Sequence, residues 1–197
     1  MNETYKVQVQ GLVDDLKAVF THAGLGGEAG EYKLLTQSFL YKFLNDKFLY
    51  QAKVLDESNT YENLLDMSEE DYDWLLEDIG TSTAWLKPDQ LIETLHRQQN
   101  EATFYETFEN TLNQIAIDNN DIFSVHTDGD TAIRLFDERL ITDTISDSSK
   151  RNEVAKSIIN LLARVKFDET IFSQGFDFFS TLFEYMIKDY NKDGGGK

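Results

Sequence analysis

An all-α fold, an irregular bundle of roughly 7–9 helices, is what this sequence predicts, and three observations predict it. Apolar residues recur mostly at helical spacing. Strand-like alternation of β-branched residues is scarce. The 197 residues hold one proline, Pro88, and 11 glycines, so helix breakers are few.

The first helix is expected over about Glu3–His22, closed by the glycine-rich AGLGGEAGE. The second, about Glu31–Val54, is the most aromatic segment, EYKLLTQSFLYKFLNDKFLYQAKV. At about 100° per residue, Tyr32, Leu35, Phe39, Phe43 and Tyr50 share one arc. Leu34, Tyr41, Leu44 and Phe48 share the opposite one. Two apolar arcs predict a central helix packed on both sides. From Val54 to Leu86 there is no Lys or Arg, against ten Asp or Glu. Within it Ser68, followed by Glu69, Glu70 and Asp71, reads as an N-cap with an acidic first turn, suited to the helix dipole. Trp74, Leu75 and Ile79 are expected to anchor that short helix. Pro88 suits the first turn of a helix reaching about Gln99. Further helices are expected at about Phe104–Asp118, 131–141, 150–165 and 174–190, with HTDGDT (126–131) as a turn. In the last helix Phe176, Phe179, Phe183, Met186, Ile187 and Tyr190 form one stripe.

Composition narrows the function classes. Apolar residues are 41%, with 14 Phe and 9 Tyr, ample for a core. No apolar run reaches membrane-spanning length, and the polar start MNETYKVQVQ lacks a signal-peptide core. A soluble, cytoplasmic protein is the expectation. Zero Cys removes disulfides and thiolate metal sites. Thirty-six acids against 18 bases give a formal charge of −18. Phosphate would be repelled by such a chain unless a partner or another domain supplied the cations.

Motifs for chemistry are sparse. Asp189-x-Asn191-x-Asp193-Gly194 matches the first six positions of an EF-hand loop, but the bidentate Glu required at position twelve would fall at residue 200. Asp, Asn and Gly at a helix end also serve as a C-cap. GGGK has no phosphate-loop spacing, and GLGGEAG (24–30) follows a helix where a dinucleotide fingerprint needs a strand. His22, His96 and His126 are far apart and form no i,i+4 pair. No GxSxG is present, and carboxylates are too frequent for any pair to stand out as acid and base. Lys33, Lys42, Lys47 and Lys53 crowd the aromatic helix, with Lys33 and Lys47 opposite Lys42 and Lys53. Lys150, Arg151, Lys156, Arg164 and Lys166 crowd a later region. Neither set forms a basic stripe; solvated helix surface is one reading and phosphate contact the other.

Two segments together resemble a known family. GEYKLLTQSFLYKFLNDKF (30–48) is similar to the early helix of the methylation subunit of type I restriction–modification enzymes, where Tyr-Lys opens a helix running into an aromatic Phe-Leu-Tyr-Lys-Phe-Leu stretch. FDFFSTLFEYMIKDYNKDGGGK (176–197) resembles the helix closing that family's N-terminal helical domain, and DIFSVHTDGD (121–130) fits a segment between them. The resemblance spans most of the chain. It implies an N-terminal helical domain at 1–190, with 191–197 beginning a Gly-rich linker to a methyltransferase domain absent from this chain.

For the whole subunit, the resemblance implies N6-adenine methylation of DNA with S-adenosylmethionine as cofactor. It also implies partnership with a specificity subunit, a second methylation subunit and a restriction subunit. The Tyr-Thr-Pro segment that begins cofactor binding in the family is missing here. So are the glycine motif for S-adenosylmethionine and the Asn-Pro-Pro-Tyr/Phe motif. A single proline, preceded by Lys87, cannot make Pro-Pro. Base flipping needs those parts, so catalytic, cofactor-binding and metal residues are expected to be none. The expected role is DNA clamping and subunit docking, with Lys33 and Lys42 as DNA contacts. The alternative is a free-standing acidic helical domain that binds a basic partner through 56–78.

Overall fold

A computed structural model describes residues 3–121, 136–169 and 172. The architecture is an irregular all-α bundle. Among the described residues there are eight α-helices, one 3-10 turn and no strand. The helices are α1 (Glu3–His22), α2 (Ala29–Leu55), α3 (Tyr61–Asp66), α4 (Glu69–Ile79), α5 (Ile92–Gln98), α6 (Phe104–Asp118), α7 (Leu140–Thr144) and α8 (Ser148–Arg164); the 3-10 turn is Pro88–Gln90. The helix expected at 174–190, the turn at 126–131 and the linker at 191–197 lie outside the described residues. None of the described helices is long and apolar enough to cross a membrane.

The two-sided helix is central, as its two arcs require. Leu34, Leu35, Phe39, Tyr41, Phe43, Leu44 and Phe48 are all buried, and α2 touches α1, α4, α7 and α8. The second axis is α8, which packs on α1, α5 and α6. Its buried Val154, Ala155, Ile158, Ile159 and Leu162 follow helical spacing.

A helix packed all round must satisfy the backbone of the loops that cross it, because buried N–H and C=O groups are costly when unpaired. Four polar side chains of α2 do this. Gln37 Oε1 accepts from the Asp137 amide at 2.9 Å. The Tyr41 hydroxyl donates to the Gln90 carbonyl at 2.5 Å. Asn45 Oδ1 accepts from the Ile92 amide at 2.9 Å. Asp46 Oδ2 accepts from the Phe167 amide at 2.9 Å. Gln37, Tyr41 and Asn45 stand at i, i+4 and i+8, one face of the helix.

Other side chains extend the scheme. Tyr72 donates its hydroxyl to the Leu86 carbonyl. The buried Asn119 accepts from the Trp85 amide at 2.7 Å and donates to the Trp85 carbonyl at 2.8 Å, mimicking a strand partner. Glu109, buried in α6, accepts from the Ile141 and Thr142 amides at 3.1 and 3.0 Å. Those are free donors of a helix N-terminus, and the carboxylate supplies the cap that Arg139 lacks.

The structure departs from the sequence expectations at four places. Pro88 opens only a 3-10 turn. Leu91 is extended (ψ 145°), and α5 restarts at Ile92, whose amide is held by Asn45. The helix expected at 131–141 begins at Leu140 within the described residues, because Glu109 caps it there; 136–139 form a bend and a turn. A short helix over Tyr61–Asp66, capped by Thr60, had no periodic signal, since Leu64 alone is buried. Trp74 is not an anchor of α4: it is 61% exposed, while Tyr72, Leu75, Leu76 and Ile79 form the buried stripe. Leu75 and Ile79 do anchor the helix as expected, and Ser68 caps it through the Asp71 amide at 3.2 Å.

Burial, reinforced by the charge of Asp89, raises the hydroxyl pKa of both Tyr41 and Tyr72 above the ordinary value. A raised folded pKa stabilises fully below the unfolded value of about 10, and that contribution is lost as pH climbs above it. The thermal midpoint is therefore expected to fall above pH ~10, and Tyr41→Phe with Tyr72→Phe should flatten the alkaline limb. An unchanged limb in the double variant, followed by circular dichroism, would place the titration elsewhere.

Candidate interaction site

The cations of the aromatic helix do not converge. Lys33 sits near the start of α2, 57% exposed, in a surface pair with Asp137 at 3.4 Å. Such pairs contribute only about 0–1 kcal/mol, so Lys33 can exchange its partner for another anion at little cost. Lys42 is in a different setting: its side chain is 5% exposed and its Nζ lies 3.0 Å from Asp46 Oδ2. A phosphate would have to displace Asp46 to reach it. Lys47 is half-buried with its ammonium 5.8 Å from the centre of the Phe43 ring. In the later basic region Arg151 is also engaged, its Nε donating to the Ile145 carbonyl at 2.9 Å beyond the end of α7.

Lys42 and Asp46 form the floor of a cleft of about 330 Å³ between α2, α3, α5 and the chain leaving α8. Asp46 is the hub. Besides Lys42 and the Phe167 amide it accepts from Asn45 Nδ2 at 2.9 Å. Burial draws the Lys42 pKa below its ordinary value, and Lys166 adds repulsion, while the charge and hydrogen bond of Asp46 oppose both. On the rim Arg97 pairs with Glu62 at 2.5 Å and with Glu93 at 3.7 Å, and its guanidinium lies 4.9 Å from the centre of the Tyr61 ring. Three cations (Lys42, Arg97, Lys166) thus meet three carboxylates (Asp46, Glu62, Glu93) around the cleft. Lys42 and Arg97 are neutralised by partners within the chain. The arrangement suits holding segments together better than holding an anionic substrate.

A second cleft of about 530 Å³ lies between α1 and α8, lined by His22, Lys150, Glu153 and small apolar groups. His22 and His96 sit in different helices, α1 and α5. His126 and the EF-hand-like residues from Asp189 to Gly194 lie outside the described residues. No group of three or more His, Asp or Glu able to hold a metal occurs among the described residues. The glycine-rich loop joins α1 to α2. Gly24 and Gly27 have φ of 88° and 77°, the left-handed region that glycine permits, and the Gly27 amide donates to Glu31 Oε2 at 2.7 Å.

Sequence reasoning singled out Lys42 but not Asn45 and Asp46, which give it its setting. The available signal was two adjacent polar residues of modest helix propensity inside an apolar helix. No family model, curated protein or solved structure matches the chain.

Removing one partner of a buried pair leaves the other charge uncompensated. Asp46→Ala is expected to destabilise the fold by about 3–5 kcal/mol, measured by urea unfolding. Lys42→Met should cost less, because Asp46 retains two N–H donors. The reverse order would show that Asp46 is not the hub.

Proposed function

We propose that the chain is the N-terminal helical domain of a type I restriction–modification methylation subunit, serving subunit docking and DNA clamping. The paired resemblance of 30–48 and 176–197 carries this reading. The all-α fold agrees with the helical domain that this resemblance implies. Methylation of adenine N6 with S-adenosylmethionine belongs, on this reading, to a catalytic domain beyond Lys197. A specificity subunit, a second methylation subunit and a restriction subunit would be the partners, in the cytoplasm.

Charge decides the division of labour within the proposed complex. A chain of formal charge −18 is a poor sole anchor for DNA, so docking onto neighbouring subunits is its larger task. Lys33, exposed and loosely paired, is the residue of choice for a phosphate contact at the DNA-facing edge. Lys42 has the same side chain but holds the fold.

Reading the coding sequence beyond codon 197 tests the proposal. It should continue into a Tyr-Thr-Pro segment and then an Asn-Pro-Pro-Tyr/Phe motif; a stop codon would overturn it. Calorimetry should show no S-adenosylmethionine binding to the 197 residues, and radiolabel assays no methyl transfer to DNA. Either activity in this chain alone would contradict the assignment.

A further inference from the structure

Trp74 has no role in the core. It lies about 200° round α4 from Tyr72, on the face opposite the buried stripe, and is 61% exposed. Its helical neighbours at i−4, i−3, i+3 and i+4 are Glu70, Asp71, Glu77 and Asp78, all exposed. None of the four carboxylates has a cationic partner among the described residues, and neither does the Trp74 indole N–H have an acceptor there. The other tryptophan differs: Trp85 is half-buried and its indole N–H donates to the Gly80 carbonyl at 2.7 Å. Core packing and hydrogen bonding explain Trp85 and leave Trp74 unexplained.

Elsewhere the molecule contains an occupied version of the same grouping. Arg97 lies over the Tyr61 ring at 4.9 Å and is held by Glu62 and Glu93, the latter four residues before it. One ring, one guanidinium and two carboxylates make up that cluster. Around Trp74 the ring and the carboxylates are present, and no cation among the described residues supplies the centre.

We propose that Trp74 and its four carboxylates form a docking site for an arginine-bearing basic segment of a partner protein. Indole has the best aromatic face for a cation. A guanidinium can stack on it while its edge donates to a flanking carboxylate in two parallel bonds. The same charges repel DNA and anionic membranes. They also repel a second copy of this chain, whose formal charge is −18. The site does not depend on the restriction–modification reading and holds equally for a chain acting by itself.

A synthetic Gly-Arg repeat peptide is the probe, titrated into the whole chain by calorimetry and tryptophan fluorescence at physiological salt. Saturable binding is expected, weaker for a Gly-Lys repeat. Trp74→Ala should weaken binding about tenfold, the effect of an aromatic interface anchor, with the thermal midpoint unchanged because the side chain is exposed. Joint substitution of Glu70→Gln, Asp71→Asn, Glu77→Gln and Asp78→Asn should abolish binding. The same charge change at exposed positions elsewhere, Asp14→Asn, Asp15→Asn, Glu57→Gln and Glu153→Gln, should leave most of it. Equal loss in the two neutralised variants would reduce the effect to bulk charge and overturn the proposal. So would undiminished binding by Trp74→Ala, or Trp74-dependent binding of duplex DNA or anionic vesicles.

Discussion

Side chains of one buried helix satisfy the backbone of the segments that cross it, and most of the remaining structure depends on this. A helix enclosed by protein cannot leave loop amides to water, so each crossing segment needs a partner from within. Gln37, Tyr41, Asn45 and Asp46 supply those partners to Asp137, Gln90, Ile92 and Phe167. The break before α5 and the path of the chain leaving α8 both follow. Tyr72 and Asn119 hold Leu86 and Trp85 in the stretch between α4 and α5. Irregular connections are thereby fixed in a protein with neither disulfides nor, among the described residues, a metal cluster.

What was legible in the sequence divides along physical lines. The bounds of α1 and α6 could be read directly, because their apolar periodicity runs unbroken between polar ends. The central place of α2 could be read because two apolar arcs leave no solvent face. α3 could not, since six residues with one buried leucine carry no period. Pro88 was compatible with a helix start, but Asn45, 47 residues before Ile92 in sequence, decides that α5 begins at Ile92, four residues later. Trp74 was misplaced because its size suggests burial while its angle around α4 puts it outside. Of the candidate site residues, Lys33 behaves as surface cations do. Lys42 could be understood only with its partner at i+4, whose carboxylate also serves a loop 121 residues away.

The segment that carries the proposed family resemblance is the one that organises the core. In GEYKLLTQSFLYKFLNDKF, the residues Gln37, Tyr41, Lys42, Asn45 and Asp46 are the ones that hold crossing segments or pair beneath them. Phe39, Leu44 and Phe48 fill the core around them. The segment is apolar on both arcs and polar where other segments cross it. Its resemblance to the early helix of a methylation subunit is one basis of the proposed function. The proposed role in a type I methylation subunit also draws on the closing segment, 176–197. Surface features separate from the core carry the proposed contacts: Lys33 at one end of α2, and the carboxylates around Trp74 on α4.

Amide hydrogen exchange at Ile92 and Phe167 tests the organising role of α2 most directly. Both amides are donors to buried side chains of that helix rather than to a helix ladder. The account predicts that they exchange only through global unfolding, and that Asn45→Ala releases Ile92 while leaving the amides of α8 protected. Exchange of Ile92 and Phe167 at the rate of exposed loop amides in the unsubstituted chain would contradict it.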